Sequence, residues 1–248
     1  MGPSNGETIH GQDVLDIQNI DESIESNELI EYYDSGEVKH KGNVIDGLKE
    51  GQHTWFYKNG NIEILADYAS DSLNGMHKKF YESGELMTIT LFNMNNKTDS
   101  SITYYENGAL LRKVWYINYQ GGSLANTWKV FNSDGTLNVV ESNFHEIHGL
   151  KSSYTFNEKD EIEVLLTAPK FNSEMSIFMG SFDSVFSNFS DNIEKEIRCS
   201  EFKSRIIVPT NILGVNHFRF VIIDYEVVQD TIMDSKPIFV DLEYFVEE

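Results

Sequence analysis

Histidines, a lone cysteine and 40 carboxylates are the groups with which this chain could hold a metal, move a proton or act as a nucleophile. His53 and His77 stand 24 residues apart, at the same place in a repeated pattern. On neighbouring hairpins they would lie two strands, ~10 Å, from each other, too wide to share one ion without a further ligand. His145, Glu146 and His148 in "FHEIHG" lack the HExxH spacing, and on a strand the two histidines point to opposite faces. Cys199 has no second cysteine with which to form a disulfide or zinc site, and reads as an inert buried thiol. Gly180 and Ser181 in "GSFDSVFSNFS" have no base at a recognisable spacing, and no P-loop, GxGxxG, G-x-S-x-G or CxxC occurs. Asn96-Lys97-Thr98 and Asn188-Phe189-Ser190 match the glycosylation sequon, a pattern common by chance. With so many carboxylates, no acid–base pair singles itself out. The expectation is a protein that is not an enzyme, with no cofactor and no metal.

Charge narrows the partners. The net charge is −21, divided as −10 over residues 1–38, −4 over 39–163 and −7 over 164–248. Such a chain repels phosphate, so nucleic acid is not the expected ligand. A basic protein partner is the complementary choice. Residues 1–28 read as an acidic, flexible tail. No apolar run is long enough for a transmembrane helix, and "MGPSNGETIHGQ" has neither the basic nor the apolar region of a secretory signal. A leader trimmed from ahead of it would leave a similar start.

What could position a binding surface is the repeat. Gly36, Gly60, Gly84 and Gly108 are each 24 apart, Gly135 follows after 27, and Asp160 replaces glycine after 25 more. Three residues before the first four glycines stand Tyr33, Tyr57, Tyr81 and Tyr105; two residues after come Val38, Ile62, Leu86 and Leu110. Two later units, "FNSDGTL" and "FNEKDEI", carry one extra residue but keep Phe131 with Leu137 and Phe156 with Ile162. Asn-Gly or Ser-Gly between strand-like runs predicts two-residue hairpin turns. That count pairs Tyr57 with Ile62, and its counterparts likewise, giving six ring–aliphatic pairs along a core face. Alternation then sends Tyr32, Phe56, Phe80 and Tyr104 to the second face, opposite Lys39, Glu63, Met87 and Leu111. Those aromatics, with Glu63, are the candidate partner-binding residues, unless a tail, loop or neighbouring domain covers them.

The units resemble MORN repeats, in the variant form G-x-x-x-W-x-Y-Y-x-x-G-x-apolar. Gly47, Gly51, Trp55, Phe56, Tyr57 and Gly60 fit it best; Gly75, Phe80, Tyr81 and Gly84 follow, whereas Asp99 replaces a leading glycine. The resemblance covers about residues 29–163 and implies a scaffold without catalytic residues. It also extends to the YwqK-type antitoxin family, which implies an immunity protein that occludes a partner toxin.

From 164 to 248 the period is lost. Short apolar runs such as "HFRFVIIDYEVV" and "PIFVDLEYFVEE" predict five to seven strands, a small β-sandwich resembling Ig-like modules without their cysteine pair or tryptophan. In "HFRFVIIDY" one core face is expected, formed by Phe218, Phe220 and Ile222. Residues 189–202 read as one candidate helix, or alternatively as a strand. The expected architecture is all-β: an antiparallel hairpin array followed by a sandwich. The expected function is a non-catalytic protein-binding module, in its narrower form an immunity protein that occludes a basic partner toxin. The alternative is a structural component of a bacterial cell envelope, a trimmed lipoprotein.

Overall fold

The structure, a computed structural model, describes residues 26–167, 174–199, 201–229 and 231–248. The expected acidic tail lies outside the described residues as far as residue 25. Nine strands follow in chain order: β1 (Ser26–Tyr32), β2 (Val38–Ile45), β3 (Leu48–Phe56), β4 (Ile62–Ala69), β5 (Ser72–Phe80), β6 (Leu86–Asn93), β7 (Asn96–Tyr104), β8 (Leu110–Tyr119) and β9 (Gly122–Val130). They form one antiparallel sheet, each strand bonded to the next in sequence. The array is therefore all-β, as the repeats predict.

The turns differ from the expectation in kind. Gly60 N–H donates to the Tyr57 carbonyl (2.9 Å) and Tyr57 N–H to the Asn61 carbonyl (2.8 Å), which makes a three-residue loop closed by a bulge. The Asn59 side chain explains the choice: its Oδ1 accepts the Asn61 N–H at 2.9 Å, and Gly60 alone takes positive φ, at 88°. Asn107 and Asp134 repeat that bond to Ala109 and Thr136. Two-residue turns do occur, but on the opposite edge, at Asp46–Gly47, Ser70–Asp71, Met94–Asn95 and Gln120–Gly121.

The longer loop moves the register by one residue. Phe56, not Tyr57, pairs with Ile62; Tyr32 pairs with Val38, Phe80 with Leu86 and Tyr104 with Leu110. Phe131 bridges Leu137 in the same way, so the fifth unit has no extra residue. The sixth unit is not a hairpin: Phe156 N–H donates to the Glu247 carbonyl, and Ile162 pairs with Ile206.

The displaced tyrosines have another task. Tyr33 Oη donates to the Phe56 carbonyl (2.7 Å), Tyr57 to Phe80 (2.7 Å), Tyr81 to Tyr104 (2.8 Å) and Tyr105 to Phe131 (3.0 Å). Each hairpin tip thus clasps the next hairpin. Asn132 takes the equivalent place in the fifth tip, beyond which no further hairpin of the array follows. Burial, with the Glu63 and Glu82 carboxylates nearby, pushes the Tyr57 phenol up and keeps it a neutral donor.

One face of the array carries a cross-strand row running His53, Ala66, His77, Thr90, Ser101, Val114, Trp128. At its start His53 is fully buried beneath Trp55 and Tyr68, its Nδ1 2.9 Å from His40 Nε2 and its Nε2 2.8 Å from the Asn43 carbonyl. The His53 ring occupies the space a side chain at position 42 would need; a Cβ there would lie 2.2 Å from Nδ1. Gly42 is required by that approach.

The remaining strands are β10 (His145–His148), β11 (Ser153–Thr155), β12 (Glu161–Leu166), β13 (Glu174–Gly180), β14 (Ile193–Cys199), β15 (Lys203–Ile207), β16 (Gly214–Val228) and β17 (Thr231–Glu247). They make a three-stranded sheet, β10-β12-β15, and a five-stranded one, β11-β17-β16-β13-β14. Ile162, Val164 and Ile206 of the first share one core with Ile177, Phe220, Ile222 and Ile238 of the second. The helix reading of 189–202 is overturned: a single 3-10 turn at Phe189–Asp191 leads into strand β14. There Ile193, Lys195, Ile197 and Cys199 alternate with Glu194, Glu196 and Arg198, a period of two that suits pairing with β13. Strand β16 buries both faces rather than one. Phe220 and Ile222 face the sandwich core, while Val221 joins Phe182, Phe186 and Phe239 in a second cluster.

That second cluster docks the array. Ile117, Tyr119 and Leu124 of the last hairpin pack on it. Asn126, the extra residue of a bulge opposite Trp115–Tyr116, donates to the Phe239 carbonyl (2.7 Å) and accepts its N–H (2.8 Å). The outer edge of β9 is also covered, by an Asn138 N–H bond to Val130 and by pairing of Trp128 with Asn143.

Replacing Tyr57 or Tyr81 by phenylalanine removes a clasp while keeping the ring. Each change should lower stability by about 1 kcal/mol in urea unfolding. Gly42→Ala should cost about 1–3 kcal/mol by overpacking, and pairing it with His53→Ala should recover part of that loss. Additive losses in that pair would contradict the contact.

Candidate binding face

The four candidate aromatics share the face opposite His53. Along their strands they share that face with Ile30, Thr54, Lys78 and Ile102, at the i−2 positions. Tyr32 is 59% exposed, while Phe56, Phe80 and Tyr104 are half-buried against their aliphatic partners. The partners are Val38, Ile62, Leu86 and Leu110, not the expected Lys39, Glu63, Met87 and Leu111. The face is therefore more apolar than the sequence count implied. Glu63 is left between Ile62 and Ile64 without a cross-strand partner on β3. It lies beside the Tyr57 clasp, one of the causes of that phenol's upward shift.

Beside the aromatics runs a second row that sequence reasoning missed. Ile30, Lys41, Thr54, Leu65, Lys78, Ile89, Ile102, Lys113 and Lys129 are directly opposite one another from β1 to β9. It contains four lysines and no acid, on a chain of net charge −21. Three of the lysines lie over rings: Lys41 Nζ is 5.5 Å from the Phe56 centroid, Lys113 4.7 Å from Trp115 and Lys129 4.3 Å from Phe144. The 24-residue alignment hides this row. Lys41 aligns with Leu65 and Ile89 before Lys113, so no single repeat position is basic.

Acids lie instead at the hairpin tips, where Asp34, Glu37, Glu82, Glu85 and Glu106 are exposed. The array thus presents an aromatic and cationic strip bordered by an acidic edge. At the β8–β9 end the strip meets the sandwich in a cleft of about 470 Å³, lined by Trp115, Lys129, His145 and Leu242 among others.

The histidines predicted to be structural are placed without a converging third ligand; among the described residues no group of three His, Cys, Asp or Glu side chains could hold a metal. His53 meets His40, which the repeat alignment did not single out, rather than His77. His145 is separate from both. Burial, then the Lys129 charge, pushes its imidazole down to about 4.

A lowered histidine pKa means that the unfolded chain takes the proton first. His145 therefore contributes stability that is full above about pH 6.5 and lost as pH falls toward about 4. The loss should approach about 3 kcal/mol over that window. Urea unfolding of the His145→Phe variant at pH 7 and 4.5 should show a smaller acid loss than the parent; an equal loss would contradict the assignment.

Residues 49–69 match the family model of the MORN repeat variant. No curated protein and no solved structure gives a match. The matched stretch runs from β3 through the Gly60 turn to the end of β4, one hairpin of the nine-stranded array. A MORN-like repeat thus describes this hairpin, and the clasps extend its geometry along the sheet.

Proposed function

We propose that this chain is a non-catalytic protein-binding module whose contact surface is the strip bearing Tyr32, Phe56, Phe80 and Tyr104. The observation that carries the reading is the combination on one sheet face of those rings with Lys41, Lys78, Lys113 and Lys129. Aromatic rings are what protein interfaces concentrate, and a repeat array presents them over several strands at fixed spacing. In this reading β1 to β9 supply the repeats, and β10 to β17, which begin before the expected boundary at residue 164, form an Ig-like sandwich that closes the array.

The narrower form is an immunity protein that occludes a toxin. Its support is the likeness of the repeats to the YwqK-type antitoxin family and the net charge of −21, which draws a basic partner at long range. At contact the strip asks for something more specific. An apolar patch carrying acids would lie on the lysines, and a basic surround would meet the acidic tips. A structural role in a cell envelope is the second reading, favoured by the scaffold character of such arrays; a lipid-modified cysteine at the native N-terminus would decide for it.

The test is capture from the native cell extract with the parent chain and with a Phe56→Ala/Phe80→Ala variant of matched melting temperature. A partner retained by the parent should bind the variant at least about tenfold more weakly, as loss of interface rings predicts. Equal retention would remove the strip from the interface. Protection by co-expression against that partner's toxicity separates the immunity reading from the envelope one.

A further inference from the structure

The cleft between the array and the sandwich shares Lys129 with the binding strip and has further chemistry of its own. Lys113 and Lys129 are directly opposite each other on β8 and β9. Like charges in that position repel, at Cβ separations of roughly 5 Å, and ordinarily have a carboxylate close by. Among the described residues no ion pair involves either lysine. Each ammonium instead lies over a ring, Trp115 and Phe144, and Trp115, Phe144 and Lys129 line the cleft.

His145, also on the wall, has a buried Nδ1 with no hydrogen-bond partner. The rest of the wall is apolar, formed by Ile117, Phe239, Val240 and Leu242. Two carboxylates limit the charge a ligand can carry. Asp99 lines the cleft, as does Asp241, which already accepts from His217 (2.9 Å) and Arg219 (2.9 Å). A single negative charge would be held by Lys129; a second would face those acids.

We propose that this cleft binds a monocarboxylate borne on an apolar body, the carboxylate on Lys129 and the body between Trp115, Phe144 and Leu242. A volume of about 470 Å³ suits a ligand of one or two residues' size. Two sources share that chemistry: a free small acid, or the C-terminal residue of a protein chain. None of Tyr32, Phe56, Phe80 and Tyr104 lines the cleft, so failure of this proposal leaves the rings of the strip in place.

Calorimetric titration of the full chain with 3-phenylpropionate, with N-acetyl-alanyl-phenylalanine and with the C-terminal amide of that dipeptide tests it. Both acids should bind saturably, and the amide roughly tenfold or more weakly, since a charge-assisted bond is lost. Tighter binding of the dipeptide acid identifies a chain terminus as the natural source; equal or weaker binding identifies a small acid. Lys129→Met and, separately, Lys129→Gln should each weaken the acids roughly tenfold with melting unchanged. Whichever of the two folds as the parent does is the one compared. No saturable binding by either acid, equal binding of the amide, unchanged affinity in the folded lysine variant, or tighter binding of inorganic phosphate would each overturn the proposal.

Discussion

A phenol bonded to a carbonyl of the following hairpin is the contact on which the array depends. A single antiparallel sheet has no second layer to hold its hairpins at a fixed pitch. The tip tyrosines do so from within the sheet, each reaching across one strand to the backbone of the next hairpin. The sequence separations are 23, 23, 23 and 26 residues, one less than the glycine spacings of 24, 24, 24 and 27. The last interval absorbs three additional residues without losing the bond. Asn126, which grips Phe239, stands nine residues before Gly135 as Gly51, Gly75 and Asp99 stand nine before their glycines, so a regular position of the repeat joins the array to the sandwich.

That contact was written in the sequence in a form easy to misread. The position three before each glycine is tyrosine four times, whereas the position before it is tyrosine or phenylalanine. A site that needs only a ring accepts both; a site that needs a hydroxyl keeps tyrosine. Counting a two-residue turn assigned the first task to the wrong residue, because Asn59 and Gly60 suit either turn by propensity. The side-chain bond from Asn59 to Asn61 N–H decides it, and a bond of that kind is not visible in a period. Strand content, hairpin order and the loss of the period in the C-terminal part were legible, since alternation and turn residues report them directly.

The candidate site was legible only in its rings. Tyr32, Phe56, Phe80 and Tyr104 do share a face, since each stays on the side of the residue two earlier whichever turn is used. Their partners do not follow, because a bulge near each tip shifts the opposite strand by one. The lysine row depends on register across all nine strands, which no local count supplies. Nor could the approach of His53 to Gly42 be read from the repeat, which aligns His53 with His77 and leaves His40 apart. The same register that sets the strip also brings Lys113 opposite Lys129 at the sandwich, so the architecture, the binding face and the cleft stand or fall on one set of pairings.

Those pairings are open to direct observation by NMR. Cross-strand backbone contacts around the Gly60 tip should connect Phe56 with Ile62 and place the Tyr57 ring against Phe80, with a slowly exchanging Tyr57 hydroxyl proton. Contacts connecting Tyr57 with Ile62 instead, and a freely exchanging hydroxyl, would contradict the account at its base.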